Sequence, residues 1–154
     1  MDLHDADTPD GVHREILRLT EQQFLSPRQA EAVREDAILQ LFRSEIGRQI
    51  LTADRLHREF RFSLLCPASD LLAVSSRDET LLQGVVDCCI ETPEDLLIID
   101  YKTDHVFTEE QIASRCTLYA SQLRAYALAL SRIFEKPVRK CVLYFLSCGK
   151  AVSA

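Results

Sequence analysis

Leu96-Leu97-Ile98-Ile99-Asp100-Tyr101-Lys102 is the stretch on which the reading of this chain turns. Four aliphatic residues in a row predict a strand buried on both faces, and an acid and a lysine stand at its end. A carboxylate in such a run is costly unless it is paired or bound to a metal. Strand alternation sets Asp100 and Lys102 on one face and Tyr101 on the other. Just upstream, Leu81 to Ile90 (LLQGVVDCCI, with Gly84 inside) reads as a second strand. The connection Thr92-Pro93-Glu94-Asp95 is short enough to make the two an antiparallel hairpin. If Glu91 pairs with Leu96, Asp87 lies opposite Asp100. Like charges facing each other destabilise a sheet, and a divalent cation between them reverses that sign. Hard oxygen ligands suit Mg²⁺ or Mn²⁺ rather than zinc. Lys102 is the only lysine in the first 135 residues, and it supplies a compact cation of tunable pKa. The plain alternative is a surface ion pair, Asp100 with Lys102, beside a solvated Asp87.

Outward from the hairpin, Leu56 to Leu64 alternates with period two. Phe60, Phe62 and Leu64 point one way, and His57, Glu59, Arg61 and Ser63 the other, so Glu59 can reach the acids from a third strand. Pro67 to Thr80 reads as a polar loop. Thr8-Pro9-Asp10-Gly11 is a turn before a short helix carrying Val12, Ile16 and Leu19. Ser26-Pro27-Arg28-Gln29 is a capping box that opens a further helix, with a stripe of Val33, Ala37, Ile38, Leu41 and Phe42 running towards Gly47. Downstream, Thr108 with Gln111 caps a long helix with apolar positions Ile112, Cys116, Tyr119, Leu123, Ala127, Leu130 and Phe134, ended by Pro137. Val138 to Leu146 is a last strand. The order predicts an α/β fold with a central mixed sheet flanked by helices, after an N-terminal helical segment.

The chain has 154 residues, 47% hydrophobic and 27% charged. A single domain of that size buries roughly 70% of its unfolded surface. No apolar run approaches the ~20 residues of a membrane span, and the acidic start has no signal-peptide core. The six cysteines show no zinc or disulfide spacing, which points to core residues in a reducing, cytoplasmic compartment. The net charge of −6 is unevenly spread: residues 115–154 hold seven bases and one acid. That asymmetry reads either as ordinary surface charge or as a basic face for a phosphate backbone.

Taken together, Glu59, Gly84-Val85-Val86-Asp87, Ile99-Asp100-Tyr101-Lys102-Thr103-Asp104 and Gln122-Leu123-Arg124-Ala125-Tyr126 resemble the PD-(D/E)xK nucleases of the RecB type. Within that type the chain is most similar to the C-terminal nuclease domains of bacterial AddAB helicase–nucleases, over nearly its whole length. The resemblance implies a restriction-endonuclease-like core and metal-assisted hydrolysis of DNA with Mg²⁺ or Mn²⁺. It implies metal ligation by Asp87, Asp100 and the Tyr101 carbonyl, and a Lys102 that positions or helps deprotonate the attacking water. Glu59 would orient Lys102 or the water. Gln122 and Tyr126 match a QxxxY motif. Beside Arg124, they would contact DNA or brace the catalytic strand. The implied partners are DNA, a helicase part of the parent chain and an AddB-type subunit, with no membrane. The implied setting is the bacterial cytoplasm, in double-strand-break processing for recombinational repair. A non-catalytic nuclease-fold module and a stand-alone nuclease of the same superfamily are the alternatives.

The sequence departs from that family in lacking the upstream GTxxH-like motif whose His is a metal ligand. The expectation is a single nuclease domain over 1–154, helical over 1–50 and α/β over 55–150, cut from a longer chain near Met1-Asp2-Leu3. Weak Mg²⁺ binding and poor cleavage by the isolated chain would follow. No G-x-x-x-x-G-K-[ST] is present, so ATP would serve only a helicase part outside it. The sequence leaves the oligomeric state open; apolar residues on the first two helices are where exposed surface could drive self-association.

Overall fold

A computed structural model describes residues 3, 5–70 and 78–153. Met1, Asp2, His4 and the centre of the loop expected between Pro67 and Thr80 lie outside the described residues. The helix α1 (Pro9–Glu21) starts where the turn predicts it, with the Thr8 hydroxyl accepting from the Gly11 amide. The Ser26 capping box is present, but the helix it opens stops after five residues. The single helix expected up to Gly47 is three: α2 (Pro27–Glu31), α3 (Glu35–Arg43) and α4 (Glu45–Leu51). Ser44 makes the last break. Its backbone is extended, and its hydroxyl accepts from the Gly47 amide to cap α4. A Cβ at Gly47 would stand 2.0 Å from the Leu41 carbonyl oxygen, so only glycine lets α4 fold back onto the end of α3.

The sheet has five strands in the order β1 (Leu56–Pro67), β2 (Glu79–Glu91), β3 (Leu96–Lys102), β4 (Val138–Phe145) and β5 (Lys150–Ser153). Only the β3–β4 pair is parallel, and the long helix α5 (Glu109–Phe134) connects it. The expected hairpin register holds, with Glu91 opposite Leu96. The β1–β2 ladder runs on to Pro67 opposite Glu79, so pairing takes up both ends of the stretch expected as loop. The strand β5 is a four-residue edge with no fully buried residue, too short for an alternation signal. Its turn uses Gly149 at φ 67.

Leu96 to Ile99 are at most 2% exposed, and each such side chain contributes about 1.5–3 kcal/mol of transfer free energy. Alternation splits them between two cores. Leu96 and Ile98 face α5 with Leu123, Tyr126 and Leu130. Leu97 and Ile99 face the N-terminal helices with Leu41, Phe42, Ile46 and Ile50. Among the described residues no helix is long and apolar enough to cross a membrane. All six cysteines are free. Burial pushes Cys88 up to about 11 and Cys89 to about 12, which makes them inert core thiols.

Candidate active site

The sheet forks at one rung. Strand β1 pairs with β2 at Arg58 opposite Cys88 and again at Phe60 opposite Val86, passing over Glu59 and Asp87. Strand β2 pairs with β3 from Glu91 only as far as Cys88 opposite Ile99. Asp87 and Asp100 therefore face each other one position past the last rung, where the two strands part. The Tyr101 amide donates to Asp87 Oδ2 at 2.9 Å in place of a strand partner.

Alternation slips on both strands at this rung. Glu59 adopts φ 51, a left-handed conformation that costs a residue with a Cβ about 1–2 kcal/mol. As a result Arg58 and Glu59 both line one cavity, together with Asp87 and Tyr101. His57 is turned to the opposite face. Sequence alternation places it with Glu59 and Arg61, but its ring packs against Phe60 at 5.7 Å and Phe134 at 4.8 Å. On β2, Val86 and Cys89 face α5, whereas Cys88 faces the N-terminal helices and Asp87 opens into the cavity on that side. That cavity, of about 770 Å³, has an apolar floor that includes Ile38, Leu41, Phe42 and Ile50.

Asp100 lies on the α5 side and is 3% exposed. Lys102 Nζ stands 2.6 Å from its Oδ2. Burial pushes the Asp100 carboxyl above the usual range and Asp87 adds to the effect, while Lys102 opposes it. The Lys102 ammonium also donates to Gln122 Oε1 at 3.0 Å and sits 3.7 Å from the centre of the Tyr119 ring. Gln122 Nε2 in turn donates to the Tyr126 hydroxyl at 2.8 Å. Tyr126 is a core residue, packed edge-on against Phe62 over Gly84. Gln122 and Tyr126 are thus turned inward, towards Lys102 and the core. Arg124 is exposed on the same helix.

The partners of Lys102 lie on the α5 face, away from the cavity that Glu59 shares with Asp87. Of the two roles expected for Glu59, contact with Lys102 is not the one the geometry favours. In the sequence Tyr119 reads only as a core position, Asp104 stands in the quoted motif without a role, and Arg115 carries no distinguishing mark. The Tyr119 hydroxyl donates to Asp104 Oδ2 at 2.9 Å, and Arg115 Nε stands 3.1 Å from Asp104 Oδ1. The legible signal was spacing: Arg115, Tyr119, Gln122 and Tyr126 recur at intervals of four, three and four along one helix stripe.

The basic C-terminal segment does not form an open basic face. Five of its seven bases reach back to acids earlier in the chain: Arg115 to Asp104, Arg132 to Asp70, Lys136 to Glu91, Arg139 to Asp95 and Lys150 to Glu109. Arg124 and Lys140 stay outside these pairs.

The donor set suits a hard divalent cation. It offers two carboxylates at facing positions of the hairpin, one of them buried beside Lys102, with the backbone of Tyr101 next to them. Among the described residues no three His, Cys, Asp or Glu side chains converge as a ligand group. The described histidines are engaged elsewhere: His13 with Glu35 at 3.1 Å, His57 with Glu91 at 2.9 Å, and His105 stacked on Phe107.

A family model of the PD-(D/E)XK nuclease superfamily matches residues 2–152. The chain belongs to that superfamily. PD-(D/E)XK nucleases generally use divalent metal ions, in keeping with the acid pair at the fork. Its curated relatives include an ATP-dependent helicase/nuclease subunit of Geobacillus thermodenitrificans, 37% identical over 94% of this chain and 12% of the relative. The like-named protein from Levilactobacillus brevis is 35% identical over 99% of this chain and 13% of the relative. That from Clostridium botulinum (strain Loch Maree / Type A3) is 33% identical over 96% and 12%. The chain thus spans 12–13% of the length of these relatives.

Proposed function

We propose that this PD-(D/E)XK nuclease domain is a Mg²⁺- or Mn²⁺-dependent DNA exonuclease. In this reading it works in the bacterial cytoplasm within a helicase–nuclease that processes double-strand breaks for recombinational repair. ATP serves the helicase part of that assembly, and its partner is of the AddB type. The observation that carries the reading is the buried Asp100, paired with Lys102 at 2.6 Å and set opposite Asp87 where β2 and β3 part.

Asp87, Asp100 and the Tyr101 carbonyl would hold the cation, which would supply Lewis acidity towards the scissile phosphate and a lowered pKa for the attacking water. Lys102, held at the same end of β3, offsets the charge that builds on the phosphate oxygens. Glu59, on the cavity side of the fork, orients the attacking water. Gln122 and Tyr126 brace Lys102 from α5, and Arg124 on the exposed side of that helix contacts the DNA backbone.

A calorimetric Mn²⁺ titration beside cleavage of linear duplex DNA in Mg²⁺, both on the full-length protein, tests the reading. Saturable Mn²⁺ binding and cleavage, both lost in Asp100→Ala, are the expected result. DNA binding without metal binding or cleavage would replace it with a non-catalytic nuclease-fold module.

A further inference from the structure

Lys102 is the last residue of β3, and a lysine there has four rotatable bonds with which to leave the site. A phosphate-directed ammonium is useful only if its position is held before the substrate arrives. Two oxygens contact the ammonium, from Asp100 and Gln122, and both belong to groups with other work. The third contact is different in kind. The Tyr119 ring lies face-on, with its centre 3.7 Å from Nζ, inside the range in which an aromatic face attracts a cation.

The ring is itself anchored at its far end. The Tyr119 hydroxyl donates to Asp104 Oδ2 at 2.9 Å, and Arg115 stands 3.1 Å from the other Asp104 oxygen. Asp104 follows Lys102 by two residues, and Arg115 precedes Tyr119 by one helical turn on α5. The connection therefore closes on itself: β3 to Lys102, Lys102 to the ring, the ring to Asp104, and Asp104 back to the end of β3. We infer that Tyr119 is a positioning residue whose aromatic face, fixed through Asp104 and Arg115, holds the Lys102 ammonium at the fork beside Asp100.

The inference rests on the nuclease reading for its catalytic meaning, but the clamp has a readout of its own. The chain has four lysines, so the Lys102 side-chain resonances can be assigned by comparison with Lys102→Arg. Their protons lie over a ring face and should be displaced upfield by its ring current. The displacement should shrink in Tyr119→Phe, which keeps the ring but loses its Asp104 anchor, and disappear in Tyr119→Leu, which fills similar space without a π face. In Mn²⁺-dependent cleavage by the intact protein, Tyr119→Leu should lower kcat at least about tenfold with KM nearly unchanged, and Tyr119→Phe, which keeps the ring but loses its anchor on Asp104, should fall between Tyr119→Leu and the parent. In a Lys102→Ala background, Tyr119→Leu should cost nothing further, whereas a general packing role would add its loss to that of Lys102. Absence of the upfield displacement, or an additive loss in the double variant, overturns the clamp. If the parent protein cleaves no DNA with either metal while the displacement is present, the nuclease reading falls and the catalytic role of the clamp falls with it, but the geometry of the clamp stands.

Discussion

Glu91 and Asp100 are both carboxylates buried in the sheet, 8% and 3% exposed, and their surroundings are opposite. Glu91 closes the β2–β3 hairpin at the end away from the fork. It receives Lys136 Nζ at 2.7 Å, His57 Nε2 at 2.9 Å and Arg55 Nη1 at 3.1 Å. Those partners, Lys136 first, hold its carboxyl down to about 2. Asp100 has Lys102 beside it and an acid facing it, and burial pushes its carboxyl up. A buried acid with all its needs met by the fold is a structural part. A buried acid left short of positive charge has capacity for something the fold does not supply. The β2–β3 ladder agrees with this division: it runs from Glu91 opposite Leu96 to Cys88 opposite Ile99 and ends before Asp87 and Asp100.

The sharpest way to break the comparison is to neutralise both kinds of acid. Asp87→Asn should reduce metal-dependent cleavage by more than about a hundredfold. Its melting temperature without metal should stay within about 2 °C of the parent, since the new amide oxygen can still accept from the Tyr101 amide. Glu91→Gln should do the reverse, lowering the melting temperature by more than about 3 °C while cleavage per folded molecule is unchanged. If both variants lost cleavage and stability together, the two ends of the sheet would not be separate in function.

Acid titration extends the same contrast. A carboxyl held at about 2 in the fold, against an ordinary value near 4.5, binds its proton more weakly folded than unfolded. The stability it contributes is complete above pH about 4.5 and is lost as the pH falls towards 2. Denaturant melts across that window should show a decline that Glu91→Gln flattens.

Smaller effects should come from residues that shape the backbone and packing of the fork. A Cβ at Gly84 would meet Phe62 Cζ at 2.8 Å and Tyr126 Cε1 at 3.1 Å. Gly84→Ala should therefore cost about 1–3 kcal/mol in chemical melts, and by displacing Tyr126 and Gln122 it should reduce cleavage severalfold. Glu59→Gly should raise stability by roughly 0.5–1 kcal/mol by releasing a left-handed residue, and lower cleavage at the same time. A variant that gained stability and kept full cleavage would remove Glu59 from the site.

Much of the fold is local, and so the sequence by itself determined it. The capping residues Thr8, Ser26 and Thr108, the aliphatic run of β3 and the short Thr92–Asp95 turn each act within a few residues. The turn sets the hairpin register, and the register sets Asp87 against Asp100. Family resemblance carried Lys102, Gln122 and Tyr126 into the same neighbourhood. Tertiary structure decided the rest, because it depends on which distant groups meet. The slip at Glu59 and Asp87 arises between two strands joined through residues 68–78, and it turned His57 against Phe134. The bases of residues 115–150 found acids up to 62 residues away, Arg132 with Asp70 being the longest reach, so charge segregated along the chain is cancelled in space. Tyr119 became a clamp on Lys102 only because α5 crosses the end of β3, a meeting that no residue spacing within either element contains.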